Sequence, residues 1–176
     1  SIPGSSSVTA EDVIRTDPDI ASHCNGGPTA VSMAEVERII RESEVAVEIV
    51  QCGNYRMTNG IMKLISELGM EHRVIFGNDA PSGTGVIPLG IIRNICYVSS
   101  VCGIAPHKAI AMATGNTASV FGLRTGVIEP GRPADLICLD APIGSVGRTA
   151  LEAIEAGDIP GITCIVIDGK IVVQKS

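Results

Sequence analysis

The sequence predicts an α/β fold: repeated strand–helix units, then a small β-rich segment. Three observations carry this. Hydrophobic residues make up 45% of the 176 positions while aromatics are only 2%, with no Trp. The core must therefore be aliphatic, which suits βα units better than an aromatic-rich sandwich. A β-type run followed by a helix-periodic run recurs three times between Asp19 and Val98. After Gly103 the pattern changes, and the chain closes on two β-type runs joined by Asp168-Gly169, a strong hairpin turn.

The elements follow in order. Ser1 to Ser7 reads as a Gly/Ser/Pro loop. Thr9 to Ile14 reads as a short helix with Thr9 as N-cap and Asp12 in the capping-box position, broken at Asp17-Pro18. Asp19 to Cys24 is a short strand ending at His23, and Asn25-Gly26-Gly27-Pro28 is a turn. The next helix starts near Thr29 or Ser32, with Ser32 and Glu35 as a second capping-box pair. Met33, Val36, Ile39 and Ile40 share one face of it, and this stripe is core. Val45 to Val50 is a strand closed by Gln51-Cys52-Gly53-Asn54. A helix follows with Ile61, Leu64, Ile65 and Leu68 on one face and Gly69 as C-cap. Val74-Ile75-Phe76 is a buried strand, and a third helix is expected from about Ile87 with Pro88 in its first turn.

Beyond that point, Ala105 to Leu123 reads as helix interrupted at Thr114-Gly115-Asn116, and Gly126 to Gly131 as a turn-rich, hairpin-like piece. Ala134 to Asp140 is a strand, Thr149 to Ala156 a helix ending at Gly157, and Ile162 to Ile167 with Ile171 to Val173 the closing hairpin. The predicted division is 1–124 for the βα part and 125–176 for a β unit with a helix insertion.

Short loops and right-handed crossovers would lay the three βα strands parallel. His23 and Asp79 lie 56 positions apart, two periods of 28. Periodicity alone then puts His23, the segment from Gln51 to Asn54, and Asp79 at one C-terminal sheet edge, where α/β proteins hold ligands and chemistry. Asp79 is the leading catalytic candidate. Asn25, Gln51, Asn54 and Ser82 are candidates for substrate contact, although strand-to-helix loops are polar in any case. Taken alone, His23 also reads as a hydrogen-bonded structural residue and Asp79 as a loop cap.

The net charge of −6, with no basic run, argues against nucleic acid as a main partner. No stretch has the ~18 apolar residues of a membrane span, and no signal peptide is visible, so a cytoplasmic setting is expected. Cys24, Cys52, Cys96, Cys102, Cys138 and Cys164 form no CxxC pair, and free, buried thiols are expected.

Several segments resemble the metal-dependent amidohydrolase superfamily. Ser22-His23-Cys24-Asn25-Gly26-Gly27 is similar to its sixth barrel strand, and Phe76-Gly77-Asn78-Asp79-Ala80-Pro81 to its eighth. Ala113 to Leu123 resembles its post-barrel helix, Gly126 to Leu136 the return into its second β domain, and Ile165 to Lys170 the closing hairpin of that domain. The resemblance implies the C-terminal part of a (β/α)8 TIM-type barrel, about strands six to eight, followed by part of a small β-sandwich. It implies that His23 ligates metal, that Asp79 ligates metal and shuttles protons, and that a divalent, binuclear centre of Zn or Fe assembles in a full-length enzyme. The implied reaction is hydrolysis of a cyclic amide C–N bond, of the kind used in nicotinate breakdown, by a homo-oligomer.

The loops Asn25 to Pro28 and Pro81 to Gly85 point to the cyclic-amide branch. Dihydroorotase-, imidazolonepropionase- and dipeptidase-like activities are the alternatives within the superfamily. The superfamily's His-x-His pair, bridging carboxylate and fifth-strand His have no counterpart here, because His72 and His107 fall at the wrong end or in the wrong element. The chain alone is therefore expected to be inactive. The alternatives of a different class are a phosphate- or nucleotide-binding βα module, built on Gly77 to Gly85 before a helix N-terminus, and a non-catalytic fragment. The first of these lacks the Gly-Lys-Ser/Thr ending of a P-loop.

Overall fold

The computed structural model describes residues 2–3, 8–26, 31–81 and 85–175. It divides into two compact units, Ser1–Asn94 and Ile95–Ser176.

The first unit is a four-stranded parallel sheet in the order β1-β2-β3-β4, with β1 at Ile2–Pro3, β2 at Ile20–Ser22, β3 at Ala46–Val50 and β4 at Val74–Gly77. The three expected strands are thus present and parallel. β1 corrects the expected loop at Ile2 and Pro3, and the rest of Ser1 to Ser7 lies outside the described residues. Two residues carry no readable period, and only backbone pairing to β2 (Ile2 with Ala21, Pro3 with Ser22) defines them as a strand.

Helices α1 (Ala10–Thr16), α2 (Met33–Glu42), α3 (Tyr55–Leu68) and α4 (Gly90–Ser100) alternate with the strands. Thr9 and Asp12 form the full capping box of α1, and Asp17 ends it in a left-handed conformation. Ser32 caps α2 by accepting the Glu35 N–H. The reciprocal half of that box is absent, because the Glu35 carboxylate accepts the backbone N–H of Ala10 instead and ties α2 to the start of α1. Gly69 closes α3 at φ 67°.

The third βα helix begins at Gly90, not Ile87. Pro88 and Leu89 form a turn, with Leu89 at φ 56°, before α4 starts.

Val47, Ile49, Val74 and Ile75 from the strands are buried with Val36, Ile39 and Ile40 of α2 and Ile61, Met62 and Ile65 of α3. Each such side chain contributes about 1.5–3 kcal/mol by leaving water. Arg73, in a 3-10 turn ahead of β4, is buried as well. Its guanidinium donates to the Val45 carbonyl at 3.1 and 2.9 Å and to the Ile40 carbonyl at 2.8 Å, closing the C-terminal end of α2. Burial holds this guanidinium below its ordinary value.

The second unit contains α5 (Pro106–Ala113), α6 (Gly115–Val120), β5 (Leu136–Asp140), α7 (Ala150–Ala156), β6 (Gly161–Ile167) and β7 (Lys170–Gln174). The predicted helix interruption falls at Thr114, between α5 and α6. Gly126 to Gly131 forms turns without strand pairing, so the hairpin-like expectation there is corrected. β5, β6 and β7 make an antiparallel sheet in that order, and Asp168 (φ 49°) and Gly169 (φ 75°) turn the hairpin. Positive φ at both central positions is the geometry that Asp-Gly favours.

Candidate active site

β2, β3 and β4 run parallel, so their C-terminal ends share one edge. His23 follows β2 directly. Its backbone turns into the left-handed region at φ 38°, and its carbonyl accepts the Gly26 N–H at 2.7 Å. A Cβ on Gly26 would sit 2.9 Å from that carbonyl, so the tight turn needs glycine there. Asp79 lies two residues beyond β4, also left-handed at φ 53°, and is exposed. Positive φ is uncommon outside glycine, and such conformations concentrate at functional sites.

Between these two residues stands Glu48 of β3, which the sequence reading did not single out. One carboxylate oxygen accepts the His23 N–H at 3.0 Å. The other lies against Gly77, where a Cβ would come within 2.5 Å of it. Gly77 therefore leaves space for the Glu48 carboxylate at the edge. The available signal was a lone charge inside an otherwise apolar five-residue strand.

Asn25 is corrected from substrate contact to scaffold. It is 1% exposed. Its amide nitrogen donates to the Val50 carbonyl at 2.9 Å and to the Thr58 hydroxyl at 2.7 Å, and its oxygen accepts the Val50 N–H at 2.8 Å. No donor is left for a ligand. The Asn54 side chain caps α3 by accepting the Met57 N–H at 3.0 Å, and the residue is exposed at the edge.

Gln51 and Asn78 differ from both. Oε1 of Gln51 and Oδ1 of Asn78 are buried and have no hydrogen-bond partner. Each such oxygen costs about 1–3 kcal/mol if left unpaired, so both are acceptors with capacity to spare. Asn78 was not among the predicted residues. Gly90 makes room for it, since a Cβ there would lie 2.7 Å from Oδ1. Ser82 lies outside the described residues.

Cys52 comes beside Asp79, with Sγ 3.5 Å from the Asp79 carbonyl and 3.5 Å from Oδ2. Burial, followed by the neighbouring Asp79, pushes this thiol above the ordinary cysteine range. Cys24 is buried, and loss of solvent raises its thiol to about 12. The expectation of buried thiols holds fully for Cys24 and Cys96, whereas Cys52, Cys102 and Cys164 are half-buried and Cys138 is exposed. All six are free.

Imidazole nitrogen and carboxylate oxygen are the donors that zinc and iron take in hydrolytic sites, so the chemistry of His23 and Asp79 fits a divalent cation. Among the described residues no group of three or more His, Cys, Asp or Glu could hold a metal ion. His72 is exposed in the 3-10 turn before β4, at the opposite end of that strand from Asp79, and His107 is exposed in α5 of the second unit.

The sheet is parallel, and His23 and Asp79 each follow one of its strands. The chain belongs to the amidohydrolase family, whose signature spans residues 12–172. It is 59% identical over 176 residues to enamidase of Eubacterium barkeri, covering 100% of this chain and 46% of the relative. A crystal structure of enamidase superposes with a TM-score of 0.94 at 59% identity, again covering 100% of this chain and 46% of that one. An adenine deaminase of Ruegeria sp. (strain TM1040) is 33% identical over 127 residues, covering 68% of this chain and 21% of the relative. The chain therefore spans less than half the length of these relatives.

Proposed function

We propose that this chain is the C-terminal part of a metal-dependent amidohydrolase that opens a cyclic amide by hydrolysing its C–N bond. The observation that carries the reading is the pairing of His23 and Asp79. Both follow parallel strands at one sheet edge, both have left-handed backbone, and the 59% identity to enamidase runs through the whole segment that holds them. In this reading β2, β3 and β4 are strands six, seven and eight of a barrel, and β1 takes the place of strand five. The segment 125–176 belongs to a composite β domain that other parts of the polypeptide complete.

His23 and Asp79 would hold a divalent metal, Zn or Fe, in a centre that is binuclear once the remaining ligands are supplied. Such an ion, when bound, polarises the amide carbonyl and makes water acidic enough to attack at neutral pH. Asp79 accepts the proton of the attacking water and delivers it to the leaving ring nitrogen, acting first as base and then as acid. Glu48 holds His23 in place through the backbone. The unpaired oxygens of Gln51 and Asn78 suit the N–H of a cyclic amide. Asn54 and Ser82 remain candidates for the rim of the pocket.

The full-length protein is proposed to be a cytoplasmic homo-oligomer acting on a small molecule, not on nucleic acid. No helix among the described residues is long and apolar enough to cross a membrane.

The test uses the full-length polypeptide. Asp79→Asn is expected to abolish cyclic-amide hydrolysis while metal binding partly persists, and His23→Ala to lower metal per subunit in elemental analysis. Near wild-type turnover in the first variant, or unchanged stoichiometry in the second, would remove that residue from the mechanism. The 176-residue chain by itself is expected to show no turnover.

A further inference from the structure

Two of the six cysteines face each other across the C-terminal sheet. Cys138 of β5 is the register partner of Cys164 of β6 in an antiparallel pair. Directly opposed residues project from the same face of a sheet. Their Cα atoms lie about 4.5 or 5.5 Å apart, depending on the type of pair, and both separations fall within the roughly 4.4–6.8 Å span of a disulfide. The Thr163 hydroxyl donates to the Cys138 carbonyl at 3.2 Å, tying the two strands together beside the pair. In this chain Cys138 is exposed and Cys164 half-buried.

We propose that Cys138 and Cys164 form a reversible dithiol–disulfide site, closed by exchange with a small-molecule disulfide. The Cys138 thiolate attacks one sulfur of the reagent, forms a mixed disulfide and releases one thiol. The Cys164 thiolate then attacks the Cys138 sulfur and releases the second thiol. Two protein S–H groups become one S–S bond, the reagent is reduced to two thiols, and the two protons end on those thiols. Cys164, partly out of water and beside Cys138, is held above the ordinary thiol range. The second step therefore quickens as pH rises.

Geometry also makes the bond easy to reopen. Opposed Cβ atoms in a sheet stand about 4.5–5.5 Å apart, against a mean near 3.8 Å in disulfides. Closure must draw β5 and β6 together, and a strained disulfide is more readily reduced. This behaviour is that of a switchable cross-link.

The experiment treats the full-length protein with oxidised glutathione, blocks remaining thiols by alkylation, and maps tryptic peptides. Cys138 lies in peptide 125–148, because Arg132 precedes Pro133 and resists cleavage, and Cys164 lies in peptide 149–170. The expected result is these two peptides linked, two hydrogens lighter than their reduced sum and separated again by dithiothreitol. In Cys164→Ser, glutathione is expected to remain on Cys138. Recovery of both peptides fully alkylated from the wild-type protein, or glutathione adducts there without any linked pair, would overturn the proposal.

Discussion

The Glu48 carboxylate accepts the backbone N–H of His23 at 3.0 Å. The bond crosses from β3 to the turn after β2 and holds His23 in a left-handed conformation at φ 38°. Removing the acceptor leaves that turn without its anchor. If His23 ligates metal as proposed, Glu48→Ala in the full-length protein is expected to weaken metal retention about 10- to 100-fold, the range found when groups that orient metal ligands are removed. Glu48→Gln keeps an acceptor oxygen and should restore most of it. Metal content after dialysis against graded chelator reads both variants, and equal retention in Glu48→Ala and wild type would exclude the anchoring role.

Gly77 and Glu48 are coupled by space. An alanine methyl at Gly77 would lie 2.5 Å from Oε1 of Glu48 and 3.2 Å from Cγ1 of Val50. Gly77→Ala is expected to cost about 1–3 kcal/mol, as overpacking does, measured by urea unfolding. In a Glu48→Ala background the cost should fall, because the main obstacle is gone. An identical cost in both backgrounds would mean that the carboxylate does not set the requirement for glycine.

Asn25 connects the turn after β2 to the end of β3 and to α3. Asn25→Ala leaves Val50 N–H, Val50 carbonyl and the Thr58 hydroxyl without that partner. The Thr58 hydroxyl keeps its bond to the Asn54 carbonyl at 3.1 Å. A loss of about 2–5 kcal/mol is expected, from unpaired buried groups and a small cavity. A change below about 0.5 kcal/mol, the size typical of surface substitutions, would contradict the scaffold assignment.

The α1 capping box gives stability a pH dependence. The Thr9 hydroxyl and Thr9 N–H donate to the Asp12 carboxylate and hold it below its ordinary range. A carboxylate lowered on folding stabilises above its unfolded value, about 3.9. That contribution is lost as pH falls through the folded value. Asp12→Asn should therefore lower the Tm at pH 6, and its deficit relative to wild type should shrink as pH drops below 4. A deficit independent of pH would show that charge plays no part in the cap.

Local chemistry was legible in the sequence wherever a few neighbouring residues decide the outcome. The Thr9 and Asp12 capping box, the Gly69 and Gly157 helix ends and the Asp168-Gly169 turn formed as expected. So did the three parallel βα strands, because hydrophobic period and loop length restrict their crossovers. Other features depend on what lies across the fold. Ile2–Pro3 becomes a strand only by pairing with β2. Glu35 follows a capping-box spacing, yet its carboxylate serves Ala10, 25 positions away.

By itself, then, the sequence determined that this is an α/β chain whose His23 and Asp79 follow parallel strands at one edge. Spacing is a property of the chain, and parallel strands convert it into position. Only the tertiary structure decided which polar residues at that edge have bonding capacity left. Asn25, Gln51 and Asn78 are alike as amides. Burial against Val50 and Thr58 commits the first, while the oxygens of the other two meet no donor. Only the tertiary structure, too, set Cys138 opposite Cys164, since strand register joins residues that the chain keeps 26 positions apart.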